Sequence, residues 1–562
     1  MSERDKIIDQ FLGDAATPIE WAGEDEKKLH FWNDDLHCPQ PISPMWFDVG
    51  GWWLTCDYMF RRFGVPFGKD WVAKTANEYV LSAVVPRDPK EEAELGAYYN
   101  MVMPVYAEKF LGWWKTRYLP EILRNFEYLD SFPMDTASLP ELMILLEEAL
   151  DIQERHFRLH WILNLAQFQT SMNFSTVFQE LIGKEHEPLI GRILVSDEDR
   201  NWDSVRELWK IKEKIKKSAA LKAAFENETG AGVLRDLGAT DEGRDLLRDI
   251  DAYRLEYGNR SMYTHEYLST TWREDPTPIV EALRGYLSSD YDFEKDVRQL
   301  RESHHAAIAE MWKLFPPDSP PADRARLQHS LDLALKMTPL TPDHHFYMDQ
   351  GTYARVRLVF MAIGRELVRQ GVLSEPDDVL FLRYHELRVV SANHSAFDAK
   401  NLVRERRHTR EAAFALRPRL WAGTITNWSL HEEPYKSLWG WPQVYLREKD
   451  ASKQPQGTIK GLPASAGVVE GTARIVTSPE QFDQVRKGEI LVCKMTNPAW
   501  VVLFTKIGGL ITDAGGALSH PAVVSREFGI PAVVGTGVAT RKIQTGQRVR
   551  VDGAAGLVEI LA

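Results

Sequence analysis

Residues 515–535 read GGALSHPAVVSREFGIPAVVG, and this stretch decides how the C-terminal part of the chain folds. The pair Gly515-Gly516 permits tight backbone turning, and Ser519-His520 stands where such a turn enters a helix. Pro521 is tolerated in a first helical turn, and Gly529 predicts the end of that helix. We therefore expect His520 at a helix N-terminus, where backbone N–H groups and the helix dipole stabilise an anion such as a phosphoryl group.

Segments on both sides extend this pattern: GVVEGTAR over 467–474 precedes it, and VRVDG over 549–553 follows. Together they resemble the swivelling phosphohistidine domain of the phosphoenolpyruvate-utilising, dikinase-type phosphotransferases, with departures only at Pro521 and Ser525. The resemblance implies a small α/β (β/β/α) domain in which His520 carries a phosphoryl group beside Ser519 and Gly516. The alternative is a histidine that only caps a helix.

Composition narrows the functional class. The 562 residues correspond to about three or four domain-sized units. A net charge of −13 without a basic block disfavours nucleic acid and anionic membranes as partners. Cys38, Cys56 and Cys493 are scattered, and no apolar run is long enough to cross a membrane. We expect a reduced, cytoplasmic protein.

Helical periodicity dominates the middle of the chain, with apolar residues recurring at three and four over 139–185, 202–225 and 349–371. Residues 1–60 are rich in Trp and Pro and are expected to be irregular. The polar tract 447–457, REKDASKQPQG, is typical of an interdomain linker. The predicted organisation is a mainly helical acceptor-substrate domain over 1–446, a hinge over 447–457 and the swivelling domain over 458–562.

The helical region resembles the substrate domain of rifampin phosphotransferase-like enzymes. The segments that carry this resemblance are EYGNR over 256–260 and WREDP over 272–276, with Asn259 where the family has His. Arg260 is then expected to bind substrate, or else to form a buried structural pair.

We find no ATP-grasp segments of the type that open complete dikinases. The architecture therefore resembles the larger subunit of split enzymes such as phenylphosphate synthase or the hydroxyacetophenone-phosphorylating enzymes. This resemblance implies an ATP-grasp nucleotide-binding partner subunit, with Mg²⁺ bound alongside ATP and held mainly by that partner.

A dense group of titratable residues, PDHHFYMDQ over 342–350, enters a predicted helix. Phosphorylation of a hydroxyl requires a base for its proton and positive charge for the phosphoryl oxygens. The candidates are His344, His345 and Asp349 for acid–base work, Asp343 for orienting an imidazole, and Arg355 and Arg357 for the phosphoryl oxygens. Alternatively, Asp343 is a helix cap and the arginines lie on a solvated face.

The resemblance implies a small aromatic hydroxyl compound as the acceptor, and some of the 18 Trp, 18 Tyr and 24 Phe residues could line an apolar pocket for a planar substrate. Trp161, in a segment where amides alternate with apolar residues, is a candidate for substrate contact, although core packing is the commoner role. The predicted reaction converts ATP, acceptor and water to AMP, phosphate and phosphorylated acceptor. A phosphocarrier or regulatory binding protein, and a phosphotransferase for an antibiotic or alkyl alcohol, remain alternatives.

Overall fold

The computed structural model of the chain describes residues 19–34, 37–226, 229–287, 292–416, 418–419, 421–424, 457–477, 479–496, 500–504, 506–516 and 519–561. The predicted hinge over 447–457 lies outside these residues except for Gly457. Two compact units emerge. The first contains the described residues within 1–166, 263–269 and 347–432, and the second those within 167–262, 270–346 and 433–562. The helical region thus contributes to both units.

The first unit is mainly helical. Its α-helices are Asp57–Phe63, Pro89–Trp113, Leu119–Ser131, the first part of Leu139–Leu181, Tyr353–Arg369, Tyr384–Ala392 and Ala399–Ala413. Shorter 3₁₀ turns cover Glu26–Lys28, Trp52–Thr55 and Pro376–Phe381, and π-helical turns cover Trp46–Gly50, Trp114–Tyr118 and most of His345–Thr352. The long helix Leu139–Leu181 confirms the periodicity predicted over 139–185.

A small antiparallel sheet in the first unit was not predicted. Its strand order is Asp70–Ala76, Tyr79–Val85, His30–Asn33 and Trp421–Gly423. The first two strands form a hairpin whose turn residues, Asn77 and Glu78, both have positive φ, as a tight hairpin turn requires. The prediction of irregular structure over residues 1–60 is therefore wrong at His30–Asn33, where pairing with distant strands fixes the conformation.

The second unit contains further helices: the end of Leu139–Leu181, Ile190–Ile193, Arg200–Lys216, Ala219–Phe225, Gly230–Gly238, Asp241–Tyr257, Thr277–Leu287, Phe293–Leu314, Pro321–Met337 and Leu340–His344, with a 3₁₀ turn at Lys184–Leu189. N-cap residues mark where five of these helices begin, because each N-cap side chain accepts a hydrogen bond from a first-turn N–H group. The five residues are Asp199, Ser218, Thr229, Thr240 and Asp292. The cap at Ser218 divides the predicted helix 202–225 into two.

The C-terminal part of the second unit is an eight-stranded mixed sheet with short helices, which confirms the predicted small α/β domain. The strand order is Thr458–Lys460, Leu557–Ile560, Arg548–Asp552, Val468–Ile475, Ile490–Cys493, Gly509–Thr512, Ala532–Val534 and Leu462–Ser465. Helices cover Val501–Phe504, His520–Glu527 and Ala539–Lys542, and a 3₁₀ turn covers Pro479–Gln484. Neighbouring strands from Val468–Ile475 through Ala532–Val534 run parallel, and buried aliphatic side chains of this domain form one hydrophobic cluster.

Among the described residues, no helix combines the length and apolar character that a membrane-spanning segment needs.

Candidate functional site

The turn ahead of His520 requires glycine. Gly515 follows the strand Gly509–Thr512 closely and has a φ of 119°, a conformation that L-residues with a side chain rarely adopt. A Cβ atom built at Gly515 would lie 2.7 Å from Ser519 Oγ. The turn therefore tolerates neither the backbone strain nor the bulk of another residue at position 515.

Ser519 occupies the N-cap position, but its hydroxyl does not cap the helix. Oγ donates to the carbonyl oxygen of Gly516 at 2.7 Å, and the backbone N–H of Ser519 donates to the same oxygen at 3.1 Å. His520 is the first residue of the helix His520–Glu527, and its side chain lies outside the described part of the structure. Because Ser519 does not satisfy the first-turn N–H groups, they can bind an anion.

The far end of this helix also follows the sequence prediction. Gly529 has a φ of 62°, and its N–H donates to the carbonyl oxygen of Arg526. Phe528 stacks on Trp202, with ring centroids 6.1 Å apart and planes inclined by 13°. Trp202 lies in the first turn of the helix Arg200–Lys216, so the end of the helix His520–Glu527 contacts the start of that helix. Nothing in the sequence predicted this contact.

Asp513, shortly before the glycine turn, has structural partners for both carboxylate oxygens. Oδ1 accepts from Thr536 Oγ1 and from the Thr540 N–H, each at 3.1 Å, and Oδ2 accepts from Thr540 Oγ1. Burial raises the pKa of Asp513, while these hydrogen bonds oppose the rise. Asp513 therefore fits a structural role better than that of a Mg²⁺ ligand.

In the second unit, the predicted acceptor residues Asp343 and His344 each contact a backbone group. Asp343 Oδ1 accepts from the backbone N–H of Arg200 at 3.0 Å, so this oxygen is bonded to the start of a helix. Burial raises the pKa of Asp343 to about 6. Buried His344 places Nδ1 3.0 Å from the carbonyl oxygen of Leu340, and its ring lies 4.0 Å from that of His345. A backbone carbonyl therefore orients His344, which leaves Nε2 as its basic atom.

In the first unit, Asp349 lies beside His160, and both side chains are buried. His160 Nδ1 is 3.1 Å from Asp349 Oδ1, and His160 Nε2 is 2.8 Å from the amide nitrogen of Asn164. An amide that donates to Nε2 places the proton of a neutral ring on Nδ1, facing the carboxylate. Two polar segments that were separate in the sequence, around 160 and around 349, thus meet in a histidine–carboxylate pair.

The other candidate residues of the first unit, Arg355, Arg357 and Trp161, form hydrogen bonds within that unit. Arg355 forms a bidentate pair with Asp130, at 3.1 and 2.7 Å, and also donates to the Gly351 carbonyl oxygen. Arg357 is buried and donates to the Tyr267 carbonyl oxygen. Trp161 packs against other tryptophans and donates to Thr55 Oγ1. These contacts favour structural roles for the three side chains, and the phosphoryl binding predicted for the two arginines and the substrate contact predicted for Trp161 stay predictions.

Comparison with known proteins finds family matches in two separate parts of the chain. Residues 485–556 match the model of the PEP-utilising enzyme mobile domain, which includes the turn and helix at His520. Residues 160–340 match the fourth domain of rifampicin phosphotransferase. The chain is a relative of the PEP-utilising, dikinase-type phosphotransferases.

Three relatives show how far the similarity extends. The uncharacterized phosphotransferase YvkC of Bacillus subtilis is 27% identical over 74% of this chain and 48% of its own length. Rifampicin phosphotransferase of Bacillus cereus is 30% identical over 57% of this chain and 35% of its own. Prodigiosin synthesizing transferase PigC of Serratia marcescens is 28% identical over 62% and 37%. The chain spans less than half the length of each of these relatives.

Arg260 is a buried cation that has no carboxylate partner among the residues that the structure describes. Its side chain is 3% exposed, and neither Nε nor Nη2 has a hydrogen-bond partner in the described part of the chain. Its guanidinium carbon lies 6.0 Å from the ring centroid of Trp272. The buried structural pair considered from the sequence is therefore not formed by the described residues.

A second histidine–carboxylate pair in the first unit was not predicted from the sequence. His37 Nδ1 lies 3.0 Å from Asp34 Oδ1, and Trp52 Nε1 donates to Asp34 Oδ2 at 3.0 Å. Burial opposes ionisation of Asp34, but the charge and hydrogen bonds of His37 hold its pKa below the usual range. The two residues are three positions apart, and no periodicity in the sequence around them marks a shared face.

Proposed function

We propose that this chain is the phosphocarrier and acceptor part of a dikinase-type phosphotransferase. His520 receives a phosphoryl group that originates from ATP and passes it to the hydroxyl of a small aromatic acceptor. The observation that carries the proposal is the start of the helix His520–Glu527, where the Gly515 turn and the uncapped first turn provide an anion site. The family matches support phosphoryl transfer as the reaction class.

The phosphoryl donor is proposed to be ATP, bound by an ATP-grasp partner that acts on His520. Mg²⁺ would neutralise the nucleotide phosphates and is assigned mainly to that partner. The overall change balances as ATP, water and acceptor hydroxyl giving AMP, phosphate and phosphorylated acceptor. The β-phosphoryl group passes through His520, and water takes the γ-phosphoryl group.

Covalent catalysis through a histidine divides one difficult transfer into two easier ones. In the second transfer the acceptor hydroxyl loses a proton while the bond between phosphorus and the His520 nitrogen breaks. A base near the acceptor is needed for that proton.

We assign this base to His160, with Asp349 as the group that orients it. The carboxylate faces Nδ1 across 3.1 Å, so Nε2 is the atom that takes the proton when an acceptor hydroxyl replaces the amide of Asn164. Asp349 also stabilises the imidazolium that forms. This assignment keeps Asp349 in the catalytic role predicted from the sequence and adds His160, while His344 and His345 are the competing candidates.

An antibiotic acceptor is the second candidate, and the match of residues 160–340 to the fourth domain of rifampicin phosphotransferase favours it. A carrier or regulatory protein without an acceptor is the third.

One reconstitution separates the three. The chain is combined with an ATP-grasp partner, Mg-ATP and matched panels of phenols, ansamycin-type antibiotics and alkyl alcohols, and AMP release is followed. Turnover with phenols supports the proposal, and turnover only with antibiotics selects the second candidate. Labelling of the chain without acceptor turnover in any panel selects the third.

A further inference from the structure

Three polar groups in one short segment of the second unit are buried without partners. They are Arg260 Nε and Nη2, Trp272 Nε1 and Asn259 Oδ1, none of which has a hydrogen-bond partner within the described residues. Backbone bonds from Trp272 N to Arg260 O, at 2.8 Å, and from Arg273 N to Gly258 O, at 2.7 Å, hold the two arms of this segment together. The unpaired groups therefore lie on a well-defined backbone.

The charge of Arg260 makes this arrangement costly in the absence of a ligand. An arginine side chain stays protonated in proteins, and a buried unpaired charge typically costs several kcal/mol. The aromatic neighbours do not neutralise it. Burial raises the pKa values of Tyr253 and Tyr286, so both stay uncharged at neutral pH although the Arg260 charge opposes the rise. Among the described residues, no carboxylate lies within ion-pairing distance of Arg260.

The pattern of unpaired atoms indicates the chemistry of the missing partner. Nε and one Nη form the side-on edge of a guanidinium group, which matches two oxygens of a phosphate or a carboxylate. Trp272 Nε1 is a further donor and accepts nothing. Two donor residues with a net positive charge select an oxyanion over a cation or a neutral ligand.

We propose that Arg260 and Trp272 form a binding site for an oxyanion, in which the Nε and Nη2 edge of Arg260 binds two oxygens of one group and Trp272 Nε1 donates a further hydrogen bond. The choice of phosphate as the first probe rests on the proposed function. A carboxylate also presents two oxygens to the guanidinium edge and is the other candidate ligand.

The test is thermal unfolding of the full chain at fixed ionic strength, with low millimolar inorganic phosphate, acetate or benzoate replacing chloride. Wild type should show a saturable rise in Tm with an oxyanion, because a ligand that binds the folded state stabilises it. The rises in Tm with phosphate, acetate and benzoate, compared at equal concentration, show which oxyanion the site prefers. This readout needs neither ATP nor a partner, so its failure is distinct from failure of His520 labelling.

Arg260→Met removes the charge and keeps an apolar side chain of similar length. It should abolish the oxyanion-dependent rise while leaving the Tm in chloride equal to wild type or higher. Arg355→Met is the matched control, because Arg355 is similarly buried but paired with Asp130. That control should lower Tm and keep the oxyanion response.

Trp272→Phe keeps a ring and removes only the N–H group, so it should weaken oxyanion affinity by about threefold to tenfold. Isothermal titration of wild type and Trp272→Phe provides this measurement even if Arg260→Met does not fold. No oxyanion-dependent rise in wild type, or an equal rise in wild type and Arg260→Met, would overturn the proposal.

Discussion

Ser519 donates its hydroxyl hydrogen bond to the carbonyl oxygen of Gly516, across 2.7 Å, and its Oγ accepts no hydrogen bond from the N–H groups of the helix that begins at His520. The bond closes the turn and keeps the serine away from the first-turn N–H groups. A serine that capped the helix would compete with a phosphoryl group for those donors. This geometry connects the local sequence to the phosphocarrier role proposed for His520.

Gly515→Ala should disturb this turn. The substitution forces a side chain into a φ of 119° and brings Cβ to 2.7 Å from Ser519 Oγ. We expect a loss of about 1–3 kcal/mol in the free energy of unfolding of the C-terminal domain and a slower phosphorylation of His520. Chemical denaturation and a labelling time course measure the two effects.

Gly546→Ala is the matched control, because Gly546 has a φ of 95° but no atom within 4 Å of a built Cβ. It should lower stability and leave the rate of labelling of the folded protein unchanged. Equal labelling rates in the Gly515 and Gly546 variants would contradict the role assigned to the turn.

Arg355→Met tests whether that arginine is structural. Loss of its bidentate pair with Asp130 and its bond to the Gly351 carbonyl oxygen should lower the free energy of unfolding by about 1–3 kcal/mol in urea titrations. Phosphorylation of the acceptor per folded molecule should stay close to wild type. A large loss of turnover with unchanged stability would instead restore Arg355 as a phosphoryl-binding residue.

Asp199 should make the stability of the second unit depend on pH. Burial raises its pKa to about 7, nearby Asp343 adds to the rise, and the N–H groups of Trp202 and Asn201 oppose it. Between about pH 4 and 7 the folded carboxyl keeps a proton that the unfolded one releases, so stability falls as pH rises through this window.

Asp199→Asn removes the titration and keeps a good helix cap. Its stability relative to wild type should therefore increase from pH 4 to pH 8, by up to about 1.4 kcal/mol for each unit that separates the folded and unfolded pKa values. Urea titrations across this range measure the difference. A constant difference between the two proteins would show that Asp199 is ionised throughout.

The pair of His160 and Asp349 is assigned to the second transfer only. His160→Gln and Asp349→Asn should leave His520 labelling intact and slow discharge to the acceptor by about 10²- to 10⁴-fold. His37→Gln is the matched control, since His37 also faces a carboxylate in the first unit. Chase experiments with pre-labelled protein measure the discharge. If the His160 variant discharges its label at the normal rate while His344→Gln discharges it slowly, the base is His344 and the assignment to His160 is wrong.

Local features of the sequence predicted local structure well. The helix at His520 and its stop at Gly529 depend on residues a few positions apart, and so do the strands around the glycine turns. The hydrogen bond of the Ser519 hydroxyl was not predicted. An N-cap serine can accept from the N–H groups of the helix or donate to a carbonyl oxygen of the turn before it. The division of the helix at Ser218 was not predicted either, because the apolar periodicity of the sequence continues across this N-cap residue.

Contacts between residues that are distant in the sequence were not predicted. His30–Asn33 became a strand by pairing with Tyr79–Val85 and Trp421–Gly423. His160 met Asp349, and Arg355 met Asp130, through tertiary packing of helices distant in sequence. Residue types near 342–357 indicated acid–base chemistry, but which partner each side chain would find depended on the fold.

The most direct test of the central claim is transfer of label from ATP carrying ³²P at the β-position. Wild type and His520→Ala are each incubated with Mg-ATP and an ATP-grasp partner, without acceptor, and the label on the chain is measured after base and acid treatment. The account predicts a base-stable, acid-labile label on wild type, lost on addition of acceptor, and none on His520→Ala. Label of equal amount on the variant, or acceptor phosphorylation by it, would contradict the account.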